Sequence, residues 1–180
     1  MKVLVFLADG FEEIEAIVPI DIFRRAGIET TTVSISENKL VRGTHNIMVM
    51  ADSLFNEMDF SEIDLLYLPG GMPGTRNLDE HVELKKLIQL QAAGNRKIAA
   101  ICAAPSILGK MNLLNGKEAI CYPGFEDKLY RAILSKDKVV KSGNISTAKG
   151  AGVALKFALK IVEDLKGKEA ADKIAESIQL

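Results

Sequence analysis

The stretch Lys97–Cys102 (KIAAIC) has the composition of a buried strand, and Ala103–Leu113 directly after it is predicted as a short helix. The longest uninterrupted apolar run of the chain, the seven residues Ile98–Ala104, overlaps this stretch. Two further apolar runs, Lys2–Leu7 (KVLVFL) and Asp64–Leu68 (DLLYL), are also typical of parallel strands buried on both faces. These three segments set the frame of the predicted fold.

Helical periodicity separates the predicted strands. Apolar residues recur at helical spacing in residues 12–26, in Glu80–Ala93 and in a long final helix that begins near Val153, and Pro19 predicts a kink in the first of these. The remaining predicted elements are strands at Ile28–Ile35, Leu40–Val41, Ile47–Met50 and Ala119–Tyr122, a helix at Phe125–Leu134, and a hairpin of Val139–Lys141 with Asn144–Thr147. Strands that alternate with helices indicate an α/β fold with a mostly parallel sheet, a three-layer sandwich, in a single domain over residues 1–180.

Composition excludes several classes of protein. With 23 Lys and Arg against 24 Asp and Glu, the formal net charge of the 180-residue chain is −1, which gives no footprint for nucleic acid or an anionic membrane. A seven-residue apolar run is far shorter than the roughly 20 residues of a membrane helix. Two cysteines and no recognisable secretory leader favour a reducing, cytoplasmic location.

Cys102 is the first candidate for chemistry, because ligands of parallel sheets bind at the carboxyl ends of the strands. A nucleophile elbow needs small residues two positions before and after the nucleophile, and Ala100 and Ala104 meet that requirement. A helix start after Cys102 would also lower the pKa of its thiol. The alternative is an inert cysteine in the core, and the local pattern leaves both interpretations open.

The segment Leu68–Gly71 (LPGG) ends another predicted strand. The backbone N–H of Gly71 together with that of Ala103 would make an oxyanion hole, whereas the simpler interpretation of the Gly70–Gly71 pair is a tight turn. A phosphate-binding loop is excluded because the required lysine and spacing are absent.

Acidic residues open the first helix at Glu12, Glu13 and Glu15. Solvated helix capping is their default role, and Glu15 stands out only because it lies in the most apolar part of the helix, where burial would raise its pKa. On the residues alone Glu15 is interpreted as structural. The two histidines, His45 and His81, have no metal-ligand spacing, so no metal site is predicted.

Three motifs in order along the chain resemble those of the ThiJ/PfpI superfamily, and most closely those of its DJ-1 branch. They are Asp9–Glu15 (DGFEEIE), Leu68–Gly71 (LPGG) and Ala99–Pro105 (AAICAAP), with further similarity at Ile20–Gly27 and Phe157–Val162. The resemblance implies a flavodoxin-like sandwich, usually a homodimer, with an oxidation-sensitive nucleophilic cysteine. Carried over, it makes Cys102 the nucleophile and Glu15 the acid that hydrogen-bonds its sulfur, with the backbone amides of Gly71 and Ala103 at the same pocket.

The sequence also departs from the patterns of that superfamily. The peptidase branch has a histidine directly after the cysteine; Ala103 stands there, so peptidase activity is not expected. Tyr122 occupies the place of a histidine near the pocket, and His45 that of an arginine near the dimer-related pocket. Gly70, Tyr122 and His45 are therefore candidate pocket residues.

Two functions follow from the resemblance. The first is a glyoxalase or deglycase of hydro-lyase or hydrolase type that needs no cofactor and acts on a small carbonyl substrate, methylglyoxal or its adducts. The second is a redox-sensing stress-protection protein in which Cys102 is oxidised to a sulfinate. The resemblance also raises a chaperone role, for which the sequence offers no exposed apolar segment. From the residues alone, Cys121 is either a resolving thiol for an oxidised Cys102 or, more simply, a core residue. Both functions require the same thiolate and the same acid, so the sequence does not separate them.

Overall fold

The computed structural model describes all residues from Met1 to Leu180. Its strands are β1 (Lys2–Leu7), β2 (Glu29–Ser34), β3 (Leu40–Arg42), β4 (Met48–Met50), β5 (Ser53–Leu54), β6 (Leu65–Leu68), β7 (Lys97–Ile101), β8 (Glu118–Ala119), β9 (Ile133–Leu134), β10 (Val139–Ser142) and β11 (Ile145–Ala148). Its helices are α1 (Glu13–Arg25), α2 (Gly74–Glu80), α3 (Val82–Ala93), α4 (Pro105–Lys110), α5 (Ala154–Lys166) and α6 (Lys168–Ser177).

Seven of the strands form one sheet in the order β10-β11-β7-β6-β1-β2-β5. Every neighbouring pair is parallel except β10 and β11, which form the predicted antiparallel hairpin. Strands β3 and β4 form a separate antiparallel hairpin, in the region where two short strands are predicted. The predicted α/β class with a mostly parallel sheet is confirmed, whereas the single-domain organisation stays a prediction.

The core lies in two layers, one on each face of the sheet. Successive residues of β6 point to opposite faces: Tyr67 packs with α1, α5 and α6, and Leu66 and Leu68 pack with α2, α3 and α4. Because both faces are covered, the central strands are apolar throughout, which explains why their sequences lack alternation. None of the helices combines the length and the apolar composition that a membrane-spanning segment requires.

The helix predicted at Phe125–Leu134 is wrong. The segment contains one short 3₁₀ turn, Glu126–Lys128, followed by β9. Only Leu129 among its apolar residues is deeply buried, while Ile133 and Leu134 are exposed, so the segment has no apolar stripe for a helix to bury. It instead crosses close over α4, where a Cβ on Gly109 would lie 2.1 Å from the Lys128 carbonyl oxygen.

Other boundaries are shorter than predicted. The helix at Ala103–Leu113 is restricted to α4, with Pro105 in its first turn, where the missing N–H costs nothing. The helix predicted from Glu80 begins at Val82, because His81 is extended and its ring accepts a hydrogen bond from the Leu84 N–H at 3.0 Å. Helix α1 runs through Pro19 without interruption.

Candidate active site

Three neighbouring strands, β7, β6 and β1, end at one edge of the sheet, and the candidate residues lie there. Cys102 directly follows β7 and has a φ of +65°, in the left-handed region that a side chain with a Cβ rarely adopts. Two hydrogen bonds hold this backbone: its N–H donates to Ala148 O at 2.9 Å, and its carbonyl accepts from Tyr122 N–H at 2.7 Å. The predicted sharp turn between strand and helix is present, with fully buried Ala100 and Ala104 on either side.

Glu15 is completely buried, although it lies in the first turn of α1. The Gly70 N–H donates to its Oε2 at 2.9 Å, and the Glu15 N–H donates to the carboxylate of Glu12, which caps the helix, at 2.8 Å. Its second oxygen, Oε1, has no hydrogen-bond partner. The interpretation of Glu15 as an ordinary structural residue is therefore replaced by that of a buried carboxyl group with one free oxygen.

The Glu15 carboxyl and the Cys102 thiol meet over Gly70. A Cβ on Gly70 would lie 2.5 Å from Glu15 Oε2 and 2.6 Å from the Cβ of Cys102, so only glycine fits between them. Gly71 has a φ of +91°, which glycine adopts without strain, and a Cβ there would clash with the Glu12 N at 2.4 Å. The two glycines thus allow the end of β6 to approach both candidate residues.

Burial governs the electrostatics of this pair. Desolvation raises the pKa of Glu15 to about 7, and contact with Cys102 and the Gly70 amide opposes the shift in part. Desolvation, and next the Glu15 carboxylate, raise the pKa of the Cys102 thiol to about 12, although the amides of Gly71 and Ala103 work to lower it. The expectation that a helix start lowers the thiol pKa is not met, because α4 begins only at Pro105 and burial outweighs the two amides.

The two groups titrate as one unit. The pair loses a first proton near pH 7, and a second only near pH 12, once the neighbouring negative charge is in place. Between these values one proton is shared by the carboxyl and the thiol. In this range Cys102 is a thiolate only in the form in which Glu15 keeps that proton.

The other predicted pocket residues divide into two groups. The amides of Gly71 and Ala103 face the Cys102 sulfur, so an oxyanion formed beside the sulfur would lie near the same donors. Tyr122 and Glu15 flank Gly150, since a Cβ there would lie 3.3 Å from the Tyr122 ring and 3.8 Å from Glu15 Oε1. Beyond Gly150 lies an open pocket of about 430 Å³, lined by Tyr122, Pro123, Lys138, Lys149, Gly150, Ala151, Gly152 and Val153.

His45 is paired with a different carboxylate. The ring Nδ1 of His45 lies 2.9 Å from Glu13 Oε2, and the backbone N–H of His45 donates to Glu13 Oε1 at 2.7 Å. This pairing raises the pKa of His45; burial would raise that of Glu13, but the hydrogen bonds from His45 and Ile47 bring it below its usual value. The structure therefore attaches His45 to Glu13 rather than to the Glu15–Cys102 pair.

One group of side chains has the composition of a metal site. Ligand atoms of Glu12, Glu13 and His45 all lie within 4.8 Å of one another. Their oxygens and nitrogen already serve the fold, since Glu12 caps α1 and Glu13 holds the His45 segment. These existing hydrogen bonds would have to be given up for an ion to bind, so we assign no metal to the group.

Cys121 lies in the core layer opposite to that of Cys102. Its side chain is 1% exposed and packs in the cluster that contains Ala104 and Ile107. Cys102 is half-buried and packs against the layer of α1 and α5. The interpretation of Cys121 as a packing residue agrees with this position.

Comparison with known proteins finds relatives that all belong to one family. The chain matches the DJ-1/PfpI family over residues 1–164. It is 39% identical to Protein DJ-1 homolog B of Arabidopsis thaliana, covering 97% of this chain but only 40% of that protein. It is 36% identical to Protein dj-1beta of Drosophila melanogaster, covering 97% and 95% of the two chains.

Two further matches bear on chemistry. A Caenorhabditis elegans protein named glutathione-independent glyoxalase DJR-1.2 is 31% identical, over 94% of this chain and 90% of that protein. The solved structure of oxidized Toxoplasma gondii DJ-1 superposes with a TM-score of 0.95 at 37% identity, covering 99% of this chain and 97% of that one.

The raised pKa of Glu15 has a consequence for stability. A carboxyl group whose pKa rises from 4.5 to about 7 on folding stabilises the protein fully below pH 4.5, and this contribution is lost as the pH rises through 7. At 1.36 kcal/mol per pKa unit the loss is about 3 kcal/mol. In Glu15→Gln we expect this part of the pH dependence to disappear. The free energy of unfolding of the variant, relative to that of the wild type, should therefore rise between acid and neutral pH.

Urea unfolding at a series of pH values measures the effect. Glu13→Gln is the matched control from the same helix turn, and its effect has the opposite sign: the lowered pKa of Glu13 stabilises the protein at neutral pH, so this variant should lose most there. Parallel stability curves for the wild type and Glu15→Gln would contradict the prediction.

Proposed function

This chain belongs to the DJ-1/PfpI family, and on that premise we propose that it is a cofactor-independent glyoxalase or deglycase acting on methylglyoxal or its adducts. The observation that carries the proposal is the contact between the buried Glu15 carboxyl, with its free Oε1, and the Cys102 thiol on its strained turn. A shared proton between a nucleophile and an acid is what addition to a carbonyl group requires. The glyoxalase name of the nematode relative supports the choice of reaction.

The first step is addition. The Cys102 thiolate attacks the aldehyde carbon, a C–S bond forms, and the carbonyl oxygen takes up negative charge beside the Gly71 and Ala103 amides. Glu15 gives its proton to that oxygen, and the product is a hemithioacetal. Because Glu15 is then a carboxylate, it is ready to act as a base in the next step.

The second step moves a proton between the two substrate carbons. Glu15 removes the hydrogen of the former aldehyde carbon as a proton and leaves an enediolate. It then returns this proton to the adjacent carbon while the hydroxyl proton passes to the neighbouring oxygen, which gives a thioester of lactate. Water then hydrolyses the thioester and releases lactate and the thiol. The sum is methylglyoxal plus water to lactic acid, with no outside oxidant or reductant.

Activity measurements on variants test this mechanism. Cys102→Ser and Glu15→Gln should each lower the conversion of methylglyoxal to lactate by at least about 100-fold, because each removes a group that handles the proton or forms the C–S bond. The assay omits glutathione and includes buffer blanks. Cys121→Ser is the matched control and keeps its activity, and full activity in either site variant would eliminate the mechanism.

A second candidate function is redox sensing, favoured by the difference in exposure between the two thiols. Cys102 is half-buried and next to an acid, whereas Cys121 is sealed in the core. Two equivalents of hydrogen peroxide convert a thiolate to a sulfinate with release of water, and protonated Glu15 would donate a hydrogen bond to the product.

Intact-mass spectrometry after mild peroxide treatment tests the second function. We expect a stable species heavier by about 32 Da that is absent from Cys102→Ala and retained in Cys121→Ser. Oxidation of Cys121 or of methionines ahead of Cys102 would exclude the sensor function.

We further propose that the chain forms a homodimer through α1 and the β3–β4 hairpin. Ile14 and Ile17 of α1 and Met50 of β4 are exposed apolar side chains. Hydrogen bonds from the backbone of His45 and Ile47 to Glu13 hold the hairpin connection beside α1, so these side chains belong to adjoining surfaces. Such a surface is typical of an interface between subunits.

Sedimentation velocity tests the dimer. The wild type should have twice the mass of the 19.6 kDa chain, and Ile17→Glu should shift it toward the monomer. Val82→Glu is the control, because Val82 is also an exposed apolar residue but lies on α3. A monomeric wild type would contradict the proposal.

A further inference from the structure

The main chain of Glu15 has an unusual requirement. In an α-helix the carbonyl of residue 15 accepts a hydrogen bond from the N–H of residue 19, but Pro19 has no N–H. Glu15 and Pro19 are both buried, so water does not supply the missing donor. A buried carbonyl without a partner destabilises a structure, and here it would do so at the residue that carries the acid.

Tyr67 supplies that donor from the neighbouring sheet. Its hydroxyl donates to the Glu15 carbonyl oxygen at 2.9 Å in a fully buried contact. We propose that Tyr67 is a positioning residue that replaces the helical hydrogen bond removed by Pro19 and thereby fixes Glu15 against Cys102. The inference rests on the proposed role of Glu15 as the acid that shares a proton with the thiol.

The ring of Tyr67 is itself held in place. It packs edge-on against Phe23 of α1 with centroids 5.9 Å apart, and against Phe157 of α5, also at 5.9 Å. Burial, reinforced by the negative charge of nearby Glu15, raises the pKa of Tyr67 well above its usual value, so the hydroxyl keeps its proton and remains a donor. The packed ring and the retained proton therefore keep the hydroxyl available as a donor to the Glu15 carbonyl.

Strand β6 and the loop after it thus hold Glu15 at two points. Tyr67 binds the main-chain carbonyl, and Gly70, three residues later, binds the carboxylate Oε2 at 2.9 Å. The first contact fixes the position of the Glu15 main chain, and the second fixes the position of its carboxyl group. The second oxygen, Oε1, has no hydrogen-bond partner of its own, so these two contacts are the ones that hold the residue from β6 and its loop.

The pH dependence of Cys102 alkylation tests the proposal without any carbonyl substrate. In a Cys121→Ser background, iodoacetamide reactivity should rise with a midpoint near pH 7, where the Glu15–Cys102 pair loses its first proton. Tyr67→Phe keeps the ring and removes only the hydroxyl. Because a less firmly held acid stabilises the thiolate less, we expect the midpoint to rise by about half a pKa unit, or roughly threefold less thiolate at lower pH, toward the value of Glu15→Gln.

A second substitution separates positioning from general loss of stability. Pro19→Ala restores an N–H four residues after Glu15, so the double variant Tyr67→Phe/Pro19→Ala should recover the wild-type midpoint. The control is Gln91→Met, which removes another buried donor, to Ile63 O at 3.1 Å, away from the strand ends that carry the site. Gln91→Met should lower the melting temperature and leave the midpoint unchanged.

The outcomes are distinct. A Tyr67→Phe profile identical to that of the wild type, or a shifted profile that Pro19→Ala leaves uncorrected, would overturn the positioning role. If the profile shifts and recovers as expected while Cys102→Ser still converts methylglyoxal, the proposed glyoxalase function fails and the positioning of Glu15 by Tyr67 stands.

Discussion

The burial of one carboxyl group against one thiol is the constraint on which the rest of the site depends. Glu15 is fully enclosed, and none of the groups that shift its pKa is a basic side chain. Such a carboxyl is expensive to charge, so it retains a proton into the neutral range and shares it with its neighbour. If the position served packing alone, an apolar side chain would fill it at lower cost in free energy.

Close backbone approach makes that burial possible. The strand that ends at Leu68 continues into two glycines, and a Cβ on Gly70 would clash with both the Glu15 carboxyl and the Cys102 side chain. Cys102 accepts a left-handed backbone conformation as part of the same arrangement. Strain of this kind persists only where surrounding contacts determine it, and here the hydrogen bonds to Ala148 and Tyr122 do so.

The sequence predicts the frame of this structure better than its details. Apolar runs identify β1, β6 and β7, because strands buried on both faces consist almost entirely of apolar residues. The motifs then predict that Cys102 and Glu15 lie at the same end of the sheet. For the segment Phe125–Leu134 the same reasoning gives a wrong helix. Its apolar residues do not form one buried helical face, because the segment packs across α4 and leaves part of its apolar side chains exposed. Tyr67 also escapes notice, because in the run DLLYL it counts as one more buried side chain. Its hydroxyl acquires meaning only when α1, with Pro19 four residues after Glu15, is packed against the strand.

The candidate site draws its parts from three segments far apart in the chain. Glu15 lies on the first helix, Gly70 follows the sixth strand, and Cys102 follows the seventh. Until the strands between them have paired, the cysteine of a growing or partly unfolded chain is an ordinary thiol in water. The contact between the carboxyl and the thiol is thus a property of the completed sheet. The joint titration of the carboxyl and the thiol is therefore a property that only the folded chain has, and chains that fail to fold carry two independent groups with ordinary pKa values.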